Sequence, residues 1–407
     1  METYRLTENE RLAHQADIRR ATLAAQRAMN ELGAAALKEL EEIYRVAAAD
    51  IKARIADHAG YDGNLALSEL QNALAQVQGR LRELGHARDA LLSDKMSDAA
   101  DLGLVPFATT LGGSASLAIA NDALQFVRTF VAEDGLQLSD RIWRLDYHAR
   151  EVVTNAIEQA VIQGHGAGQA AREFLARGMA VPLDVANKIN AANAAEIGSA
   201  ATQAMTGVGS PLDNAMRLFR TELNRAHGEA YIKAALEHPD AAGVRFLLSP
   251  RHPKPDICDW HSSANLYGLG PGVYPTRETC GWPAHPNTLS YVEVVFKDEI
   301  TDADRAGKET PLQALERLTP AQRLGVLGKN KAAVFRDGKL KQGMIKAPWA
   351  AVKRRLPEKN AILETSMTSS YDIAKGGGKH AGWLREMELL PDHLVQKSIR
   401  SLEKRAF

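Results

Sequence analysis

The side chains best suited to chemistry fall in one short stretch. Cys258-Asp-Trp-His261 is followed, eighteen residues on, by Cys280-Gly-Trp-Pro-Ala-His285, which places both cysteines of the chain in C-x2-H and C-x4-H pairs. Four soft-to-borderline donors in two close pairs are what a tetrahedral Zn2+ takes, because each short loop lets two side chains converge on one ion. The intervening loop, ANLYGLGPGVYPTRET, has no helix or strand pattern and would gain most from such a staple. Four protein ligands leave no position for water, so this zinc would be structural. Two other readings stand beside it. Cys258 and Cys280 can be small buried hydrophobes, with His261 and His285 satisfied by backbone groups, or they can form a disulfide, which is unusual in an intracellular chain.

Other catalytic patterns are absent. The sequence contains no H-E-x-x-H, no G-x-S-x-G and no Walker loop. Gly325-Val-Leu-Gly328-Lys329 lacks the spacing and hydroxyl of a phosphate loop, and Gly268-Leu-Gly270-Pro-Gly272 precedes no helix. His285-Pro286-Asn287 suggests an HNH-type nuclease, but the residues after it read as a strand and not as the metal-bearing helix of such enzymes. On a helix expected over 213–236, Arg220, Glu222 and Arg225 lie close together, with His227 and Glu229 beyond. Arg220 and Glu222 are two apart and do not share a face. A solvated face with local salt bridges is the expectation. The alternative is a buried charged cluster that fastens this helix to the cysteine unit.

The elements that must position these residues are mostly helical. Leu12, Ile18, Leu23, Met29, Leu32, Leu40, Ile43 and Val46 recur at helical spacing, and the pattern stops at His58-Ala-Gly-Tyr-Asp-Gly-Asn64, a turn by its composition. Leu67, Leu70, Leu74, Val77, Leu81 and Leu84 then form a heptad seam, so residues ~8–93 read as a long antiparallel helical hairpin. Its partner helix comes from the same chain or, by self-association, from a second copy. The uncharged stretch Gly103–Asn121 is rich in Gly, Ser and Thr and broken by Pro106, and reads as a buried small-residue turn, not a membrane span.

Further helices are expected over ~122–240, one opened by Ser139 and carrying Trp143, Leu145, Val152, Val153, Ile157 and Val161. A loop at 163–168 follows, then a helix with Ala171, Phe174 and Leu175, then one started by Ser210-Pro211 and ended at His238-Pro239. Strand patterns appear at 244–248 and 291–296, and a helical pattern at 311–327. A turn is expected at 335–340, a flexible joint at Lys375-Gly-Gly-Gly-Lys379 and a helical pair over 380–407. The chain is therefore expected to be mainly α: a long helical hairpin and helical bundle, then a small α+β module with a zinc-staple candidate, then a short helical tail. The expected segments are 1–100, 101–240, 241–350 and 351–407.

Composition agrees with a folded protein. Across 407 residues, 45% are hydrophobic and 25% charged, which is too apolar for global disorder. Two cysteines exclude a disulfide scaffold, and the charged first fifteen residues lack the apolar core of a signal peptide, so a soluble intracellular chain is expected. Fifty Lys and Arg balance fifty Asp and Glu, but the balance is uneven. From Lys329 onward there are 17 basic and 8 acidic residues, a surplus of nine that the rest of the chain offsets.

Three segments together resemble the phage head morphogenesis family of the Mu F type, the minor head proteins. Phe219-Arg220-Thr221-Glu222-Leu223-Asn224-Arg225-Ala226 is similar to the family's R-T-E-x-x-R-A helix. Asp256-Ile257-Cys258, Tyr267-Gly-Leu-Gly-Pro-Gly-Val-Tyr274 and Pro283-Ala-His285-Pro286-Asn287 resemble its D-x-C-x-x-C, glycine-rich loop and P-x-H-P-x-C-R-C sequence. Gln322-Arg323-Leu-Gly-Val-Leu-Gly328-Lys329 with Phe335-Arg-Asp-Gly338-Lys-Leu looks like the helix and turn that end such domains. The likeness covers about 140–350. The chain departs from the pattern at His261, where the family has a cysteine, and at Thr288-Leu289-Ser290, where two more cysteines are missing; Cys280 is a stand-in for one of them.

The resemblance implies a non-enzymatic structural protein of the virion, assembled in the host cytoplasm and placed in the capsid interior with portal and capsid proteins. It implies a part in head assembly, DNA packaging or ejection. In that setting the basic tail, with Lys353, Arg354, Arg355, Lys375 and Lys379, would contact packaged DNA or an acidic portal surface in a salt-sensitive way; a solvated helical end is the alternative. An effector, toxin or zinc-dependent nuclease built on the same module would need about 100 residues of further domain, and 57 follow residue 350. A non-phage nucleic-acid module would need basic residues among the aromatics. Residues 265–286 hold one Arg and one Glu, so Trp260, Tyr267, Tyr274 and Trp282 read as core.

Overall fold

In a computed structural model of the protein, residues 7–131, 135–164, 192–250, 252, 254–285, 288 and 290–356 are described. The elements in chain order are α1 (Glu8–Asp57), β1 (Asn64–Leu65), α2 (Leu70–Leu104), α3 (Ala108–Leu111), α4 (Gly113–Thr129), α5 (Leu138–Gly164), β2 (Ala192–Asn193), α6 (Ala194–Thr206), α7 (Pro211–Glu237), β3 (Ala241–Leu247), α8 (Ile257–Ser263), β4 (Val273–Tyr274), β5 (Tyr291–Phe296), α9 (Asp302–Ala306), α10 (Pro311–Arg317), α11 (Pro320–Arg336) and α12 (Trp349–Lys353). The fold is mainly α with a small α+β module. It divides by packing into two compact units drawn from non-consecutive segments: Met1–Asn30, Met96–Gly135 and Thr221–Phe407 in one, Glu31–Lys95 and Leu136–Arg220 in the other.

In the second unit the hairpin forms within the chain. Glu39 meets Lys95 at 3.1 Å and Asp50 meets Arg80 at 2.8 Å, so the α2 partner falls in number as α1 advances, as in antiparallel helices. The seam residues Leu70, Leu74, Val77, Leu81 and Leu84 are buried there. Arg88 is buried among them, and its guanidinium bonds Asp89 at 2.6 Å and Asp146 at 3.0 Å, so the charge enters the core with its partners. β1 pairs with β2, and the Asn193 side chain caps α6 by accepting from the amides of Ala195 and Glu196. α5 packs on α6, but Trp143 lies outside the core: it is 59% exposed and stacks on Tyr147. The expected loop at 163–168 falls mostly, and the helix with Phe174 wholly, outside the described residues.

The first unit holds the α+β module. β3 is the middle strand of an antiparallel sheet ordered β4-β3-β5, with Val244 opposite Val294 and Leu247 opposite Tyr291. Val244, Phe246, Val292 and Val294 are buried, the period-2 pattern of strands with a covered face. Tyr231 of α7 accepts the Val294 amide at its hydroxyl, 3.1 Å away, and meets the Thr22 hydroxyl of α1 at 3.2 Å. The start of α1 is further fixed by ion pairs from Arg11 to Asp298 and from Arg19 to Glu299.

Several expectations need correction in this unit. The uncharged stretch at 103–121 buries Leu104, Pro106 and Phe107, but most of its later residues are exposed on α3 and the start of α4. No described helix is long and apolar enough to cross a membrane. The face of α7 near Glu222 is not solvated: Glu222, Arg225 and Glu229 are all buried, while Arg220 is exposed. Positions 222, 225, 226 and 229 share one helical face with spacing i, i+3, i+4, i+7, so the charges follow the apolar stripe inward. Glu222 accepts from Arg225 at 2.5 Å, and Arg225 lies over the Phe130 ring. The helical pattern at 311–327 resolves into α10 and α11, with a non-helical break at Gly328 (φ +66°) beside exposed Lys329.

Candidate metal centre

The loop between β3 and β5 contains a helix that its sequence does not announce. α8 is seven residues long, and its start is built by a reciprocal cap. The Asp256 carboxylate accepts the Cys258 amide at 2.7 Å, and Asp259 accepts the Asp256 amide at 2.8 Å. This cap fixes where Asp256, Cys258 and Asp259 point. Gly325 of α11 presses on the same spot, since a Cβ there would lie 2.1 Å from the Pro255 carbonyl oxygen.

Against the capped turn stands His285. Its Nε2 is 3.2 Å from Cys258 Sγ and 3.2 Å from Asp256 Oδ2, and the three ligand atoms all lie within 4.8 Å of one another. A Cys-His-Asp relay would use both ring nitrogens, one toward the thiol and one toward the carboxylate. Here both partners face the same nitrogen, so the geometry is that of donors converging on a point. Donors about 2.0–2.3 Å from Zn2+ in a tetrahedron stand roughly 3.4–3.6 Å apart, close to these separations. The residues therefore fit a metal ion.

A second group, His252, Asp256 and Asp259, shares the Asp256 carboxylate. His252 Nε2 is 2.9 Å from Asp259 Oδ2 and 3.8 Å from Asp256 Oδ1. Burial alone would raise the Asp256 pKa, but hydrogen bonds from His285 and the Cys258 amide reverse this and bring it to about 2, so the carboxylate stays anionic. Thr288 Oγ1 lies 3.6 Å from Cys258 Sγ.

The expected quartet of Cys258, His261, Cys280 and His285 is corrected by this arrangement. Cys258 and His285 meet, and Asp256 joins them; His261 and Cys280 belong to neither group. His261 is a core residue. Its Nδ1 is 2.8 Å from the Tyr274 hydroxyl, its ring stacks on Phe246, and burial lowers its pKa well below the ordinary value. Cys280 is a buried free thiol whose pKa burial raises. Cys258 is also free, so the disulfide reading is set aside. Trp260, Tyr274 and Trp282 are core, as their composition suggested.

The remaining candidates scatter. Lys353 ends α12, Arg354 and Arg355 follow it, and all three are exposed. Pro286, Asn287, Lys375 and Lys379 lie outside the described residues. His252 and Asp259 were not apparent as site residues from spacing. The available signal was the N-cap pattern of Asp256 and Asp259, three apart at the edge of an apolar residue.

No family model, curated protein or solved structure matches this chain.

Proposed function

We propose that the chain is a minor head protein of a tailed phage or prophage, of the Mu F type, that works with portal and capsid proteins in head assembly, DNA packaging or ejection. The observation that supports this reading is that α7 and α11, which carry the first and third resembling segments, both pack against the loop that carries the second. Trp282 of the cysteine loop lies against Gly228 of α7, where an added Cβ would meet its ring at 2.0 Å. Asn224 donates to the Thr288 carbonyl at 3.1 Å, and Glu229 pairs with Arg277. α11 closes on Pro255, and Trp260 donates to the Pro311 carbonyl at 3.3 Å. A set of motifs that behaves as one packed module is what the resemblance requires.

In this reading the module is a structural adaptor, not an enzyme. Zinc is the metal that a thiolate, an imidazole and a carboxylate together suit best, and it would tie the start of α8 to His285. The exposed Lys353, Arg354 and Arg355 open the basic tail, to which we assign contact with packaged DNA or an acidic portal surface. Co-expression with the portal, scaffold and capsid proteins of the same genome tests the reading. The chain should sediment with procapsids and leave them when the portal gene is omitted. Recovery only in the slow-sedimenting fraction would count against it.

A further inference from the structure

We infer that the cation at this centre is held by three protein groups, Asp256, Cys258 and His285, and keeps a fourth position for a water molecule. The inference deepens the metal assignment above and rests on it, but it does not depend on the virion reading. Four observations lead to it. First, the two sequence candidates for a fourth ligand are engaged elsewhere, His261 with Tyr274 and Phe246 and Cys280 in the core. Second, His252 and Asp259 form their own pair, and among the described residues neither joins Cys258 and His285 in a common group. Third, the centre is not sealed, because the side chains of Asp256 and His285 keep 28% and 34% of their surface exposed. Fourth, the protein itself orients Asp256: the Cys258 amide takes Oδ1 and leaves Oδ2 facing His285.

Charge selects the occupant of the open position. A thiolate and a carboxylate together neutralise a divalent ion, so a neutral donor is favoured there over an anion. Three protein ligands and one water is the arrangement of sites that exchange ligands, in contrast to the closed set of structural zinc. His252 and Asp259, beyond the Asp256 carboxylate, then act as orienting groups of the kind that raise affinity without touching the metal.

Cobalt(II) in place of zinc tests this on the full-length chain. One equivalent should bind and give a sulfur-to-cobalt charge-transfer band that Cys258→Ser abolishes and Cys280→Ser leaves unchanged. X-ray absorption of the zinc form should count one sulfur neighbour. Water-proton relaxation should rise above that of a closed four-ligand control protein at equal cobalt concentration. His252→Ala should weaken binding about 10–100-fold with the same spectrum. Two sulfur neighbours, bound cobalt without added relaxation, or a spectrum altered by His252→Ala would each overturn the open three-ligand site. Failure to bind metal at one equivalent would remove the zinc assignment too, while association with procapsids would remain a separate outcome.

Discussion

Glu229 of α7 and Arg277 of the cysteine loop form an ion pair of 2.7 Å in which the carboxylate is fully buried. The Arg277 guanidinium also lies 4.7 Å over the Phe126 ring and donates to the Cys280 carbonyl at 3.3 Å. Burial raises the Glu229 pKa, and Arg277 pulls it back. One contact thus joins the charged helix to the segment that presents His285.

That pairing sets a contrast within a single helix. Glu229→Ala leaves a guanidinium largely removed from water without its partner and should cost about 2–4 kcal/mol in urea denaturation. Arg220→Ala, on the exposed side, should change stability by no more than about 0.5 kcal/mol. Equal effects would mean that the burial of this face is wrong.

Two glycines should respond with opposite sign. Gly228→Ala drives a methyl into the Trp282 ring and should destabilise by about 1–3 kcal/mol or more. Gly33 lies inside α1 with nothing within 4 Å of an added Cβ, so Gly33→Ala should stabilise by about 0.5–1 kcal/mol. Thermal midpoints of the two variants read both signs.

Acid should weaken the fold through two imidazoles, one in each unit: His148 is buried and His227 partly buried. Burial lowers the pKa of His148 and of His227 from 6.5 to about 4. The unfolded chain takes up these protons below about pH 6.5, and the native chain does not until about pH 4. Their contribution is therefore complete above pH 6.5 and is lost as pH falls toward 4, about 3 kcal/mol for each residue. Urea midpoints at pH 7.5, 6 and 5 should fall in that order, and His227→Gln should flatten the trend. A midpoint independent of pH over this range would contradict it.

The sequence made some of this legible. Alternating Tyr291–Phe296 gave its strand to the residue, and Ser210-Pro211 marked the start of α7, because both signals are local. α8 escaped because two helical turns of Ile-Cys-Asp-Trp-His-Ser-Ser show no period. The wrong metal quartet had a similar origin: C-x2-H spacing reads as convergence, but α8 carries Cys258 and His261 to different surroundings. Asp256 and His285 are 29 positions apart, and only the path of the chain brings them together. Buried Glu222 and Glu229 were obscured by residue type, although their helical phase with Leu223 and Ala226 pointed inward.

Mass spectrometry of purified phage particles, produced by inducing the host that carries the gene, decides whether this chain is a virion component. A minor head protein should be found inside the particle, protected from external protease and present at low copy relative to the major capsid protein. Particles that are complete and infectious without it, with the chain found only free in the lysate, would rule out a role as a minor head protein.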